Sequence, residues 1–409
     1  MELLQAAMDV TLCRATTMAP EAPTRMPLPI RAGRIGASLA ARAYRFDLRD
    51  HLIFPGLINA HDHLHNNAVP PLVKGAPFAN SYAWMTAFQE HFAEPAVKAA
   101  LSVPKALRMR HGALKNLLAG TTCVAHHDPW HAAFDASDFP VALLRNYGWS
   151  YALGWPEYGP PVQQSFADTP MDQPWFIHLA EGTDAAAQAE LTQLDKMGCL
   201  AENCVLIHGV GLREQDIERV IAAGAAVVWC AESNCALLGR SLDPRRLYEA
   251  RRLALGTDSR LSGARDLLDE MRAIATRGEL SHAQLLALAT TQAANILRLP
   301  LRGSLVPGSR ADLVIVEDRG GEARSLVGIR RSDIRAVVRD GIPWIADPDF
   351  AEWFAISGME PVAVTLDGRP KLMARSLAEP ALVDLEPGLE LVSDRRAHER
   401  VLAVEARYS

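Results

Sequence analysis

Between residues 53 and 302 the chain alternates two kinds of pattern. Short runs of consecutive apolar residues suit strands buried on both faces of a parallel sheet. Longer stretches, in which apolar residues return every three or four positions, suit amphipathic helices packed on that sheet. The strand candidates are LIFPGLINAH (52–61), TTCVAHH (121–127), WSYALGW (149–155), WFIHLA (175–180), CVLIHG (204–209), AAVVWC (225–230) and LALGTD (253–258). Helices are expected between them. VPKALRMRHGALKNLLAG and REQDIERVIAAG each stop on a glycine, and SHAQLLALATTQAANIL begins on a Ser cap. Strands alternating with helices predict βα units around a parallel sheet. The count is seven strands, one short of a closed (β/α)8 barrel. The missing unit is expected between Trp155 and Trp175, where PEYGPPVQQSFADTPMDQP is rich in turn residues.

The two ends of the chain read differently. Residues 1 to about 52, and again 303–345, carry short β-branched runs broken by Gly, Pro and Asp, as in GSLVPGSRADLVIVED and IRAVVRDGIPWIAD. The tail PVAVTLDGRPKLMARSLAEPALVDLEPGLELV continues in the same style and predicts further strands.

Composition narrows the function classes. The chain has 409 residues, 49% of them hydrophobic, which is enough for a sizeable core. The formal net charge is −6, and the nearest basic cluster, GIRRSDIRAVVRD, is interleaved with acidic and apolar residues. A nucleic-acid partner is therefore not expected. The N-terminus lacks a basic start followed by an apolar block. No apolar run reaches the length needed to span a bilayer. Six cysteines in so long a chain do not form a disulfide framework. The two Cys-x4-Cys pairs, 199 with 204 and 230 with 235, are wider than structural zinc spacing and predict free thiols. A cytoplasmic enzyme acting on a small molecule fits these facts, with a homodimer as the expected assembly.

Chemistry gathers at the strand ends. His61 and His63 close the first candidate, His178 lies in WFIHLA, His208 in CVLIHG, and Asp258 ends LALGTD. In a barrel the C-terminal strand ends converge on one face, so residues distant in sequence can meet there. Imidazoles and a carboxylate suit a divalent ion with an open position, and zinc brings the pKa of a bound water to roughly 7. Glu181, three residues after His178, falls in the loop above and can shuttle a proton. Each residue alone has an ordinary explanation: His208 as a hydrogen-bonded core histidine, Asp258 as a helix cap. Their shared placement at strand ends carries the reading.

In this order, FPGLINAHDHLH, HLAEG, LIHGVGL, ESNCALLG and LGTDSRLSG resemble the amidohydrolase superfamily, most closely its branch of mononuclear deaminases and triazine hydrolases. That branch includes guanine deaminase and S-adenosylhomocysteine deaminase. The resemblance implies a distorted (β/α)8 barrel over 53–302 and a small composite β-sandwich from 1–52 and 303–409. It implies that His61, His63, His178 and Asp258 bind one metal, zinc or else iron. His208 would hydrogen-bond the attacking water or the tetrahedral centre. Glu181 would protonate a ring nitrogen and then the leaving group, while Asp258 helps to deprotonate the water. No candidate strand end offers a lysine, so the carbamylated-lysine bridge of binuclear relatives is not expected.

Substrate contacts are read from neighbouring stretches. PFANSYAWMTAFQEHF (77–92) is either a lid bearing Trp84, Phe88, Gln89 and His91 or an amphipathic helix with core aromatics. HHDPWH places His126 and His127 at the end of the second strand. ESNCALLG offers Asn234, with Arg240 just beyond it, and His65 lies on the rim beyond the ligands. The expected reaction is loss of ammonia from an amino-substituted purine, pyrimidine or pterin-like ring. The rivals are an amide, chloro or alkylamino leaving group on the same machinery, or an inactive binding protein of the same fold.

Overall fold

The structure, a computed structural model, describes residues 9–18, 23–72 and 77–392. Its centre is a TIM-barrel-like α/β arrangement of short parallel strands. Three of them, Leu57–Asp62, Thr121–His126 and Ala142–Leu143, form one sheet. The other five run in chain order through Gly148–Ala152, Trp175–Leu179, Cys204–His208, Ala226–Trp229 and Leu253–Leu255. An isolated parallel bridge joins Asp62 to Asp258, so the first and last strands lie side by side.

Both strand faces are buried, which is why the runs read as continuously apolar. Leu206, Val227, Trp229 and Leu253 pack outward with helix residues such as Leu191, Leu194 and Val220. Val205, Ile207, Val228 and Ala254 pack in a separate inner cluster with Ile58 and Ala60.

The expected gap between Trp155 and Trp175 is corrected. That segment contains the helix Val162–Asp168, tied to its strands where Ser165 Oγ donates to Trp149 O at 2.6 Å and accepts from Trp175 Nε1 at 3.0 Å. The shortening lies earlier, where Ala142–Leu143 leads to Gly148–Ala152 through residues 144–147 with no helix between them. An apolar run of VALL, bounded by Pro140 and Arg145, is too short to register as a strand in the sequence.

The chain ends form two more sheets. Arg34–Ile35, Leu28–Arg31, Val10–Cys13 and Tyr44–Asp47 make a four-stranded one. An eight-stranded sheet joins N-terminal Thr16–Thr17 and His51–Pro55 to six C-terminal strands, including Pro361–Leu366, Arg369–Ala374 and Leu389–Leu391 from the tail. Val10, Leu12 and Ile30 of the first sheet share one apolar cluster with Ile53, Leu313, Ile315 and Leu372 of the second. Residues 1–8 and 393–409 lie outside the described residues. All six cysteines are free. No helix among the described residues is long and apolar enough to cross a membrane.

Two glycines position the first parallel strand. Gly56 carries the chain from His51–Pro55 into Leu57–Asp62, and a Cβ there would lie 2.2 Å from Thr122 Oγ1. Gly112, in the helix Lys105–Leu118, faces the turn that follows the strand, and a Cβ would lie 2.2 Å from Leu64 O. Backbone cannot yield as a flexible side chain can. Gly112→Ala is therefore expected to cost about 1–3 kcal/mol, the usual range for overpacking, read as a lowered urea midpoint.

The tail also reaches toward the strand ends. Glu386 is buried and binds Arg260 Nη1 and Nη2 at 2.8 Å each, His111 Nε2 at 2.8 Å, and Arg331. Arg260 lies two residues beyond Asp258, and its N–H donates to Asn67 Oδ1 at 3.1 Å. Despite burial, these basic partners hold the Glu386 carboxyl well below the usual carboxylate range.

Candidate active site

The residues predicted as ligands come together at the strand ends. His63 Nε2 lies 3.3 Å from His178 Nε2 and 3.6 Å from Asp258 Oδ1, and His61 Nε2 lies 3.7 Å from the same oxygen. The His61 and His178 ring centroids are 5.1 Å apart. Local irregularity aims them. The pairing register shifts between Asn59 and Asp62, and these two side chains bond each other at 3.2 Å although three residues apart. Asp258 (φ 59°) and His208 (φ 76°) are left-handed, a conformation uncommon for residues other than glycine and often found at functional sites.

The second ring nitrogens decide which lone pairs are free. His178 Nδ1–H donates to Tyr151 O at 2.9 Å, and His63 Nδ1–H donates to Asp128 Oδ2 at 2.6 Å. Both arrangements leave Nε2 as the lone-pair atom facing the other ligands. Asp258 Oδ2 accepts from Ser233 Oγ at 2.7 Å and Ser262 Oγ at 2.6 Å, leaving Oδ1 toward the imidazoles. Neither nitrogen of the fully buried His61 has a hydrogen-bond partner. Burial without partners is costly, and a divalent cation among these atoms satisfies them. The donor set therefore fits a metal.

The electrostatics agree. Burial lowers His61 to about 4. Burial also opposes charge on His63, yet Asp128, helped by Asp258, raises it to about 9. Loading a cation there must displace that proton.

Glu181 sits above the ligands at 9% exposure, with Oε1 3.5 Å from His208 Nε2. His208 Nδ1–H donates to Asn234 Oδ1 at 2.8 Å, which turns Nε2 toward Glu181. The loop is pinned from behind: Ala180 takes φ 53°, and its N–H donates to Glu190 Oε2 at 2.6 Å. Burial pushes the Glu181 carboxyl up to about 7, against the pull of His208 and with a further push from Asp258.

This shift has a stability consequence. Between its ordinary value near 4.5 and the folded value near 7, the folded state keeps a proton that the unfolded chain has released. Stability therefore falls as pH rises through that window. Metal-free Glu181→Gln is expected to exceed wild type by up to about 3 kcal/mol above pH 8, with no advantage below pH 4. Urea unfolding at both pH values checks this.

A cavity of about 300 Å³ opens over the ligands. His65, Trp84, Phe88 and Gln89 line it, with His63, His178, Glu181, His208 and Asp258 at its base. Trp84 and Phe88 stack with centroids 5.3 Å apart and planes 4° apart. The helix Ser81–His91 is thus both a wall of the cavity and a packed element, since Phe88 also joins an apolar cluster with Val97 and Leu261.

Three expected substrate contacts are corrected. His126, His127 and Asn234 are buried and do not line the cavity. His127 stacks behind His178 at 4.4 Å, and its Nε2–H donates to Ser150 O at 3.0 Å. His126 Nδ1 accepts from the Leu64 N–H at 3.3 Å, so Nε2 carries its proton. His126, His65 and Asp128 lie close together. Asn234 orients His208. His91 turns away to Glu94, with Nδ1 to Oε1 at 2.8 Å. Arg240 lies on a separate surface cleft with Arg213 and Arg246.

Several functional positions escaped sequence reasoning. Asp128 fixes the tautomer of His63, and its signal was the Asp in HHDPWH. Tyr151 and Tyr158 complete the cavity wall with Lys105 and Arg108. Beneath the ligands Asp62 and Lys115 form a fully buried pair, with Nζ 3.1 Å from Oδ2. Asp62 also accepts from Asn116 Nδ2 at 2.8 Å, Asn67 Nδ2 at 2.8 Å and Thr257 Oγ1 at 3.2 Å.

Known proteins share parts of this sequence and fold. Residues 158–353 match the amidohydrolase family. The chain is 25% identical over 340 residues to a 5-methylthioadenosine/S-adenosylhomocysteine deaminase of Nitratidesulfovibrio vulgaris, covering 68% of this chain and 74% of that protein. In structure it is similar to an adenosine deaminase from Xanthomonas campestris with bound zinc, at a TM-score of 0.63, 19% identity and 98% coverage of both chains. It is also similar to atrazine chlorohydrolase from Arthrobacter aurescens complexed with zinc, at a TM-score of 0.66 and 19% identity, covering 85% of this chain and 100% of the other.

Proposed function

Because residues 158–353 match the amidohydrolase family, we propose that the chain belongs to it and releases ammonia from an amino-substituted N-heterocycle. One divalent ion would be held by His61, His63, His178 and Asp258. Zinc is the favoured ion, since the two solved relatives described above contain it. The fold is then a distorted (β/α)8 barrel over 53–302, with one unit lacking its helix, and a composite β-sandwich from 1–52 and 303–409. The strand His51–Pro55 runs across that boundary within the sheet of the chain ends.

The observation that carries the reading is Glu181: a buried carboxyl raised to about 7, over the ligand set and at the base of a cavity with aromatic walls. An acid of that strength holds a proton at neutral pH and can still surrender it. When bound, a divalent ion lowers the pKa of a coordinated water and supplies hydroxide near neutral pH. Asp258 Oδ1, unengaged by Ser233 and Ser262, takes the proton that water loses. Glu181 delivers its proton to the ring nitrogen beside the carbon under attack, regains one from the new hydroxyl as the carbonyl forms, and passes that to the departing amine; the proton held by Asp258 then restores Glu181. His208 Nε2, fixed by Asn234, hydrogen-bonds the oxygen as the carbon becomes tetrahedral. A C–O bond forms, the exocyclic C–N bond breaks, and ammonia leaves.

The test is ammonia release by zinc-loaded protein against a panel of aminopurines, aminopyrimidines and pterins. Turnover of at least one member, abolished by chelation and restored by zinc, is the expected result. Turnover of only chloro or alkylamino analogues would replace ammonia with another leaving group.

A further inference from the structure

The cavity wall also carries cationic side chains. Arg108, one turn into the helix Lys105–Leu118, is only 7% exposed and lines the cavity wall. Its Nε donates to Val103 O at 3.1 Å and its Nη1 to His65 O at 2.8 Å. Both partners are neutral carbonyls. Among the described residues no carboxylate pairs with this guanidinium, and Nη2 has no partner. Burial lowers its pKa with no opposing charge to raise it. The three acids of the same cavity are engaged elsewhere, Asp128 with His63, Glu181 with His208, and Asp258 with Ser233, Ser262 and the imidazoles of His61 and His63.

A buried guanidinium without a counter-charge is costly, and arginine is built to bind carboxylate or phosphate through paired N–H groups. Lys105, exposed and three residues earlier, faces the same cavity. The helix starts there behind Pro104, which supplies no side-chain cap, so its first N–H groups add partial positive charge. The stacked rings of Trp84 and Phe88 line the same cavity. A volume of about 300 Å³ is at the small end for ligand pockets and suits one ring system with a compact substituent.

We propose that Arg108, assisted by Lys105, is an anion subsite, so that the substrate is an amino-heterocycle carrying a carboxylate or phosphate. This rests on the deaminase reading for the identity of the ring chemistry. The subsite itself is testable by binding alone.

Two matched pairs serve as probes: pterin with pterin-6-carboxylate, and adenosine with adenosine 5′-monophosphate. Equilibrium binding and ammonia release are measured for each on zinc-loaded protein. The expected result is that one anionic member binds at least about tenfold tighter than its neutral twin, and that Arg108→Gln cuts that ratio about tenfold or more. Lys105→Met, at an exposed position that threatens no packing, is expected to reduce the ratio about threefold. Whichever pair discriminates tells carboxylate from phosphate. Equal binding of both members in both pairs, or a preference that neither variant changes, overturns the subsite. Discrimination in binding with no ammonia from any member supports the subsite and overturns the deaminase reading instead.

Discussion

Asp258→Asn is expected to lower kcat/KM about 1,000-fold or more while the protein remains folded. The carboxylate combines two roles that an amide cannot. Its Oδ1 faces His61 and His63 at 3.7 and 3.6 Å, where negative charge draws a cation and accepts a proton from water. Its Oδ2 accepts from both Ser233 and Ser262. An amide placed there must either turn its NH2 toward the metal or set it against two hydroxyls that now donate. Loss of a general base alone costs about 10²–10⁴-fold, and weakened metal binding adds to it. The surroundings argue against unfolding: the substitution keeps the shape, and it removes a buried charge. Metal content and the melting curve of the metal-free variant separate the outcomes. A variant that keeps full zinc and loses less than tenfold in rate would remove Asp258 from the chemistry.

The second large effect is expected at Lys115, which touches no substrate. Lys115→Met leaves Asp62 buried with its charge but without its cation. Breaking one partner of a buried pair typically costs 3–5 kcal/mol, because the remaining ion is uncompensated. A fall of about that size in urea-unfolding free energy is predicted for the metal-free protein. The double change Asp62→Asn with Lys115→Met is expected to recover part of it, since neither charge is then stranded. Asp62 stands between two ligands, so zinc affinity of the single variant is expected to fall about 10–100-fold, as when outer partners of ligating histidines are removed. An unchanged affinity would make the pair purely structural.

The residues now proposed as ligands stood out in the sequence because three signals coincided: an apolar run, its end, and a residue type that can bind metal or protons. His178 and Asp258 could be found that way in separate parts of the chain. The helix–strand rhythm was legible for the same reason, since burial on both faces leaves uninterrupted apolar runs. What stayed hidden depends on contacts without a local period. The two-residue strand Ala142–Leu143 is too short to show an apolar signature. His126 and His127 looked like substrate contacts from their strand end, but both are buried away from the cavity, with one ring nitrogen each bonded to the Leu64 N–H and to Ser150 O. Asn234 was placed in the right neighbourhood and given the wrong partner. Lys115 and Arg108 look like ordinary polar positions on an amphipathic helix. Only the fold shows one beneath the ligands and the other in the cavity wall.

Glu386 bears on how such a chain can be cut and recombined. It belongs to the tail, yet its carboxylate answers Arg260 beside Asp258, His111 on the helix behind the first strand, and Arg331. The barrel segment therefore does not carry its own electrical balance. Excised alone, it would bring two basic groups to its rim without the acid that faces them. A gene exchange that swapped the last fifty residues for a foreign segment would have to supply a carboxylate at that one point in space. The tail of this chain thus completes the charge balance of its centre, although in sequence it stands far from it.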